Sequence, residues 1–268
     1  MKQLTTFFSL AYLISWLTWL PLYIQILPDN SFRYLHALGG LGPLIAAVIC
    51  TFIFDGKPAL KKLAVSTFAT SRIFLLLLAL VSPFLLNAIA ATINYFQKGH
   101  WDDLSLIGLS KEFPDFNFIE FFIYNLVFFG FGEEVGWRGF ALPRLQKPFK
   151  ALNASLILSL FWAIWHWPLF LYRPGYMSMD ILGALGWIFS LLTGSILLTW
   201  LFNTSRGSIL VCAVFHSAMD VAFTSDYLDK NIVGLVGMLV TLWGIVTLLI
   251  FKPLNLSSSE KVTSVDAG

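Results

Sequence analysis

Phe131-Gly132-Glu133-Glu134-Val135-Gly136-Trp137-Arg138-Gly139-Phe140 sets two adjacent carboxylates and a guanidinium inside a chain that is otherwise oily. Hydrophobic residues make up 57% of its 268 positions and charged residues only 12%, against about 25% charged in an ordinary soluble domain. An ionised side chain near a bilayer centre costs about 2.5–3.5 kcal/mol on insertion scales, so each one needs a partner or a task. On a helix Glu134 and Arg138 fall at i and i+4 on one face, acid before base, which is the favourable order for an ion pair. Glu133, about 100° round the helix, has no such local partner, and chemistry has to account for it.

Working outward, the chain reads as an all-α polytopic membrane protein with a mean hydropathy of +0.77. Hydropathy gives about eight transmembrane helices of the roughly 20 residues that a bilayer requires: 4–27, 35–54, 73–96, 118–142, 155–172, 181–202, 209–223 and 232–251. The first span is too long for a signal peptide, contains Pro21 and precedes no small-residue cleavage site, so it is expected to stay uncleaved. Residues 1–252 form one eight-helix membrane domain in this reading, and 253–268 a polar, disordered tail.

Of the 17 Lys and Arg residues, five (Arg33, Lys98, Lys111, Arg173 and Lys230) fall on one side of this arrangement and the other twelve on the opposite side. Positive loops face the cytoplasm, so both termini are expected there, in a multi-pass protein of the cell membrane. A net charge of +2 without a basic run offers nothing to nucleic acid. Residues 57–72 read either as a short interfacial helix or as an ordinary positive loop. Trp16, Trp19, Trp101 and Trp243 read as interfacial anchors, and Asn87 and Asn125 as interhelical hydrogen bonders. Cys50 and Cys212 lie in apolar stretches and read as small buried thiols.

Two further polar insertions stand out. One is Trp162-Ala163-Ile164-Trp165-His166 in span five; the other is His216-Ser217-Ala218-Met219-Asp220 in span seven, where His216 and Asp220 share a helix face. At about 1.5 Å rise per residue, a fourth helix that runs to the residue before Pro143 puts Glu133 roughly 14 Å below the cytoplasmic end, close to the depths of His166 and His216. A carboxylate and two imidazoles meeting in a water-poor pocket suit water activation, with Glu133 as general base and a histidine polarising a carbonyl. Glu133, His166 and His216 are equally a zinc set with water in the open position, and sequence leaves metal-bound and metal-free water side by side. None of the four histidines precedes a glutamate and no G-x-S-x-G is present, which removes two other hydrolase chemistries.

Glu133-Glu134-x-x-x-Arg138-Gly139 resembles the first motif of the CPBP intramembrane proteases, the group that takes in CAAX prenyl endopeptidases and bacterial bacteriocin-processing or Abi proteins. Trp162-x-x-x-His166 is similar to the second motif, with Trp where Phe is usual, and His216-x-x-x-Asp220 to the third, with Asp where Asn is usual. The resemblance runs from about Asn125 to Val221. It implies eight membrane helices around an intramembrane cavity and an endopeptidase acting on a membrane-bound or lipidated peptide or protein. It further implies that Glu133 is the acid–base, His166 stands beside it at the water, His216 and Asp220 serve positioning or oxyanion roles, and Glu134 with Arg138 is structural support. The alternative is a noncatalytic scaffold or self-immunity protein of the same family, to which the Asp220 departure points, since an ionised aspartate cannot donate a hydrogen bond. A proton-coupled transporter is disfavoured by the absence of paired interrupted helices.

Overall fold

The computed structural model describes residues 2–26, 32–69 and 72–264, and among these the chain is helical with no strand. The N-terminal helix α1 (Lys2–Tyr23) packs on α2 (Phe32–Gly40) and α3 (Gly42–Phe68), and α4 (Ile73–Lys98) returns across the bundle. A helical run, α5, occupies residues 118–146 and is followed by α6 (Ala151–Trp165), the short α7 (Leu169–Tyr172) and α8 (Pro174–Met177). The long α9 (Ile181–Thr204), the shorter α10 (Ile209–Phe223) and α11 (Lys230–Ile250) complete the bundle. Six helical stretches among the described residues are long and apolar enough to cross a membrane, with α2 and α3 counted as one stretch and α6 and α7 as another. With α10 and α5 added, the eight expected spans all have counterparts. The end of the first span at Leu27 and the last tail residues, 265–268, lie outside the described residues.

Local chemistry explains where the helices differ from expectation. The second span bends rather than ends: Gly56 takes φ 80°, a left-handed conformation open to glycine, and the helix then continues through Lys57 and Lys61 to Phe68. The basic stretch after residue 56 is therefore helical. At the other end of the chain's centre, Trp167-Pro168 stops the fifth span early, because the residue before proline is disfavoured in helix. His166 is consequently the C-cap of α6 and not a mid-helix residue.

α5 carries the charged stretch. It starts at a capping box in which Asn117 accepts from the backbone of Ile119 and Glu120, while the Glu120 side chain accepts from the Asn117 backbone. Two widened π-helical segments, Leu126–Phe131 and Val135–Ala141, flank the three residues Gly132–Glu134. Such segments are rare and concentrate at functional sites. The helix continues past Pro143 to Gln146, beyond the stop expected at residue 142. Two glycines let α5 sit deep between its neighbours. A Cβ on Gly130 would strike Ser217 Oγ at 2.3 Å and the Ala213 carbonyl at 2.6 Å on α10, and one on Gly136 would strike Pro43 at 2.6 Å on α3. Small residues of this kind replace bulk with close backbone approach where lipid supplies no hydrophobic drive.

Indole and hydroxyl groups tie α1 to α2 and to the end of α6. Tyr12 donates to the Phe161 carbonyl at 2.7 Å, Trp16 to the Trp165 carbonyl at 3.1 Å, and Trp165 to Ser15 Oγ at 2.8 Å. Trp19 is fully buried and donates to the His36 carbonyl at 3.1 Å. Trp16 and Trp19 are therefore packing residues, which corrects their reading as interfacial anchors; Trp243 packs edge-on against Phe215 and Trp200, whereas Trp101 is exposed and stacked on Tyr95. Asn87 bonds across to the Ala222 carbonyl, but Asn125 turns back to the Phe121 carbonyl of its own helix. Cys50 and Cys212 are free and buried.

The tail, expected to be disordered, lies against the bundle as far as it is described. Gln146 and Asn203 form a reciprocal amide pair at 2.8 and 3.0 Å, and the same two side chains accept from and donate to the backbone of Val262 and donate to the Asn255 carbonyl. The Leu254 carbonyl accepts from the Ala151 amide that opens α6. Helix ends present unpaired backbone and amide groups, and the polar tail answers them. At the opposite end, the 99–117 loop is fastened to the α10–α11 turn: Ser110 Oγ donates to Asp226, the Lys111 amide donates to the same carboxylate, and Ser225 Oγ accepts from the Gly108 amide.

Candidate active site

Three helices deliver the polar groups. α5 supplies Glu133 and Glu134, α6 supplies Trp162 and, at its cap, His166, and α10 supplies His216 and Asp220. Glu133 is 2% exposed, His166 7% and His216 6%, so all three are held inside the protein. Trp162 stands among them, its ring centroid 5.5 Å from that of His166 and 5.4 Å from that of His216. An apolar cavity of about 320 Å³ lined by Leu80, Val81, Phe84, Phe118, Ile119 and Phe122 opens between α4 and α5, and none of the polar site residues lines it.

The two adjacent glutamates have different surroundings. Glu134 Oε1 accepts from Arg138 Nη1 at 2.9 Å and from His216 Nδ1 at 2.7 Å. Arg138 is fully buried, donates through Nη2 to Ser195 Oγ at 3.3 Å and lies 4.7 Å over the Trp162 ring. Glu133 Oε2 instead accepts two indole N–H groups, from Trp162 at 2.6 Å and Trp137 at 3.0 Å. Its other oxygen, Oε1, stands 3.9 Å from His216 Nε2. The i,i+4 ion pair on α5 is present as the sequence indicated, and among the described residues Glu133 has no arginine or lysine partner.

Each histidine has one nitrogen committed and one free for chemistry. A carbonyl can only accept, so the 2.7 Å contact between His166 Nδ1 and the Trp162 carbonyl places a proton on Nδ1 and leaves Nε2 uncommitted. His216 Nδ1 donates to Glu134 by the same logic, and its Nε2 looks toward Glu133 at 3.9 Å and Asp220 Oδ2 at 3.6 Å. The partner that fixes the His216 tautomer is therefore Glu134, 82 residues earlier, and not Asp220 one turn away. Asp220, with a third of its side chain exposed, is the most open member of the group.

Sequence reasoning missed the tryptophans. Trp162 stands out in the sequence only as a substituted motif position and Trp137 only as part of the charged stretch, yet both are hydrogen-bond donors to Glu133. Trp137 sits four residues after Glu133, the spacing that already marked Glu134 and Arg138, so the signal was there to be read. The Trp-for-Phe departure in the second motif is also informative, because a phenyl ring has no N–H to give.

The zinc alternative can be tested against the donor set. Among the described residues no group of three or more His, Cys, Asp and Glu side chains is placed to hold one ion. Glu133 Oε2, His166 Nδ1 and His216 Nδ1 are engaged within the protein, which leaves Glu133 Oε1, His166 Nε2 and His216 Nε2 as the atoms that would face a water or an ion.

Beyond this centre, α7 and α8 bring two more groups up to His166. The Tyr176 ring lies near-parallel to the His166 ring at 6.4 Å and 17°, and the Arg173 guanidinium lies 5.6 Å over Tyr176. Arg173 Nε donates to Glu112 Oε2 at 2.8 Å. Burial works against the Arg173 charge, but Glu112 beside it, then Tyr176 and Asp220, more than offset this and hold its pKa above the ordinary value. Burial also pushes the Tyr176 hydroxyl up to about 12, so it stays protonated.

Fold and site together define an all-α, multi-pass membrane protein with a buried glutamate–histidine centre on its fourth, fifth and seventh spans. Residues 115–222, which carry all three motifs, match the family model described as Type II CAAX prenyl endopeptidase Rce1-like. The CAAX prenyl protease 2 of Methanococcus maripaludis is 30% identical over 122 residues, covering 41% of this chain and 45% of that relative. Through this segment the chain is similar to the CAAX prenyl endopeptidases. The match spans less than half the length of the curated relative.

Proposed function

We propose that this protein is an intramembrane endopeptidase that hydrolyses a peptide bond of a membrane-associated or lipidated substrate, reached from the cytoplasmic leaflet, with both termini in the cytoplasm of a cell-membrane protein. The observation that carries the reading is the split of Glu133: one oxygen held by two indoles, the other aimed at His216 Nε2 across 3.9 Å. That gap is too long for a direct hydrogen bond and short enough for one water to touch both groups.

Glu133 Oε1 takes the proton of this water as it attacks the scissile carbonyl, and the two indole N–H groups keep the carboxylate from swinging away. His166 Nε2, uncommitted, shares the water or the departing amine. His216, flanked by Glu133, Glu134 and Asp220, serves as a donor at both nitrogens and meets the oxygen on which negative charge develops. Glu133 then returns its proton to the leaving amine. The donor role falls to His216 because an ionised Asp220 has no proton to offer.

The deciding experiment compares purified wild type with Glu133→Gln on S-farnesyl C-a-a-X peptides in proteoliposomes. Loss of cleavage by about 10²–10⁴-fold with the thermal transition retained is the expected outcome; equal cleavage by both removes Glu133 from the mechanism. Chelator treatment is expected to leave the rate within twofold of untreated protein, and stoichiometric zinc whose removal abolishes cleavage would replace this metal-free scheme.

A further inference from the structure

We infer that Trp16 on α1 is a positioning residue for His166: its indole holds the peptide plane from which that histidine hangs. This rests on the hydrolase reading above and brings into it the first span, which carries none of the polar site residues.

Helix α6 ends inside the bundle, and its last carbonyls need donors where the lipid surroundings supply no water. Trp16 lies about 21 Å along α1 from Lys2 at about 1.5 Å per residue, deep in a hydrocarbon layer about 30 Å thick. Pro168 has no N–H to continue the helical ladder, and the Leu169 amide donates to the His166 carbonyl at 2.9 Å. The backbone thereby passes over the Trp165 carbonyl, and Trp16 Nε1 donates to it at 3.1 Å. Tyr12, one turn earlier on α1 and stacked on Trp16 at 5.3 Å and 4°, donates to the Phe161 carbonyl at 2.7 Å, one turn earlier on α6. Two side chains at i and i+4 meet two carbonyls at i and i+4, which fixes the register of the two helices.

The Trp165 carbonyl and the His166 amide belong to one peptide plane. Turning that plane swings the His166 Cα–Cβ bond, and the Nε2 edge of the ring moves with it. The bond from His166 Nδ1 to the Trp162 carbonyl at 2.7 Å holds the opposite edge of the ring, not the plane from which it hangs. α1 grips the same residue a second time: Trp165 Nε1 donates to Ser15 Oγ at 2.8 Å, and Ser15 donates on to the Gly39 carbonyl at 2.7 Å. The Trp165 ring so held stands edge-on to His166 at 5.0 Å and to Trp137, a donor to Glu133, at 5.9 Å. Phe8, stacked on Phe161 at 4.0 Å, already fastens α1 to α6; the indole bond adds a constraint at the carbonyl next to His166.

The test uses the full chain in proteoliposomes with an S-farnesyl C-a-a-X peptide. Trp16→Phe keeps an aromatic ring and removes the N–H; kcat should fall about tenfold with KM within about twofold, since a small misplacement of a reacting group slows a reaction steeply. Trp19→Phe removes an indole bond from α1 to the His36 carbonyl and none to α6, and should leave kcat within about twofold. In ¹⁵N-histidine-labelled protein the His166 signal, assigned by its loss in His166→Gln, should report the Nδ1-protonated tautomer, and Trp16→Phe should convert it to a mixture. An unchanged kcat in Trp16→Phe, an equal fall in Trp19→Phe, or an unaltered His166 tautomer overturns the proposal. If Trp16→Phe gives no thermal transition, Ser15→Ala, which frees the Trp165 ring, is read by the same measures. If wild type cleaves no peptide, the hydrolase reading fails by itself, and the His166 tautomer in Trp16→Phe still decides whether Trp16 positions that ring.

Discussion

Two arginine–glutamate pairs lie on either side of the histidines, and they are built for opposite purposes. Arg138 and Glu134 are both fully buried, and the carboxylate is shared with His216 so that the pair is absorbed into the packing of α5, α6 and α10. Arg173 and Glu112 sit at the outer end of the bundle, partly exposed, with the carboxylate saturated and most of the guanidinium left open. A charge buried on every side is committed to holding the fold; a charge tethered at one corner keeps the rest of its donors out of the packing.

The largest effect that separates the pairs is on stability. Arg138→Met strands Glu134 in a low-dielectric interior and is expected to cost about 3–5 kcal/mol, seen as a collapse of yield and of the thermal transition in detergent. Arg173→Met leaves Glu112 bonded to the Gly175 amide and not fully buried, so it should cost less than Arg138→Met by the same melt; equal losses at both positions would erase the distinction.

A smaller effect bears on the carboxylate between them. Trp162→Phe and Trp137→Phe each delete one N–H bond to Glu133, about 1.5 kcal/mol or tenfold in kcat apiece, with KM little changed. The double variant should lose less than the product of the single effects, because each remaining indole can still hold Oε2 only while the other side of the pocket keeps its shape. Additive losses in thermal stability with unchanged kcat would reduce the tryptophans to packing.

The smallest expected effect is at the periphery, where Lys98 and Asp229 pair across the ends of α4 and α11. The hydrogen bond from Lys98 holds Asp229 below the usual carboxylate range. A depressed carboxylate contributes above its unfolded pKa and loses that contribution as pH falls through the lower folded value, so the window lies below about pH 4. Lys98→Ala should lower the melt slightly at pH 7 and converge with wild type as pH falls from 4 to 2, with the Asn231 amide preserving part of the acid-side slope.

The sequence of α5 disclosed its ion pair because Glu134 and Arg138 are four residues apart and helix geometry alone brings them together. The three motif stretches were legible for a related reason: polar residues inside apolar spans are costly enough to be conspicuous. The partners of Glu133 and His216 across helices were not. Trp162 lies 29 residues from Glu133, and His216 lies 82 from Glu134, and a rotation of either helix by a fraction of a turn would have exchanged those bonds. Tryptophan also has two readings, apolar bulk and N–H donor, and only its surroundings choose between them, which is why Trp16, Trp19, Trp137 and Trp162 were all misjudged or missed.

Composition and local spacing, then, determined by themselves that the chain is an all-α membrane protein, where its spans run and which residues carry charge into the bilayer, since a 20-residue apolar length and an i,i+4 face are properties of the chain alone. Tertiary structure decided the rest: that Glu134 and not Asp220 fixes His216, that two indoles grip Glu133, and that Arg173 stands open beside Tyr176. Those outcomes depend on how closely α5 nests against α3 and α10 through Gly136 and Gly130, a matter of ångströms between segments far apart in sequence.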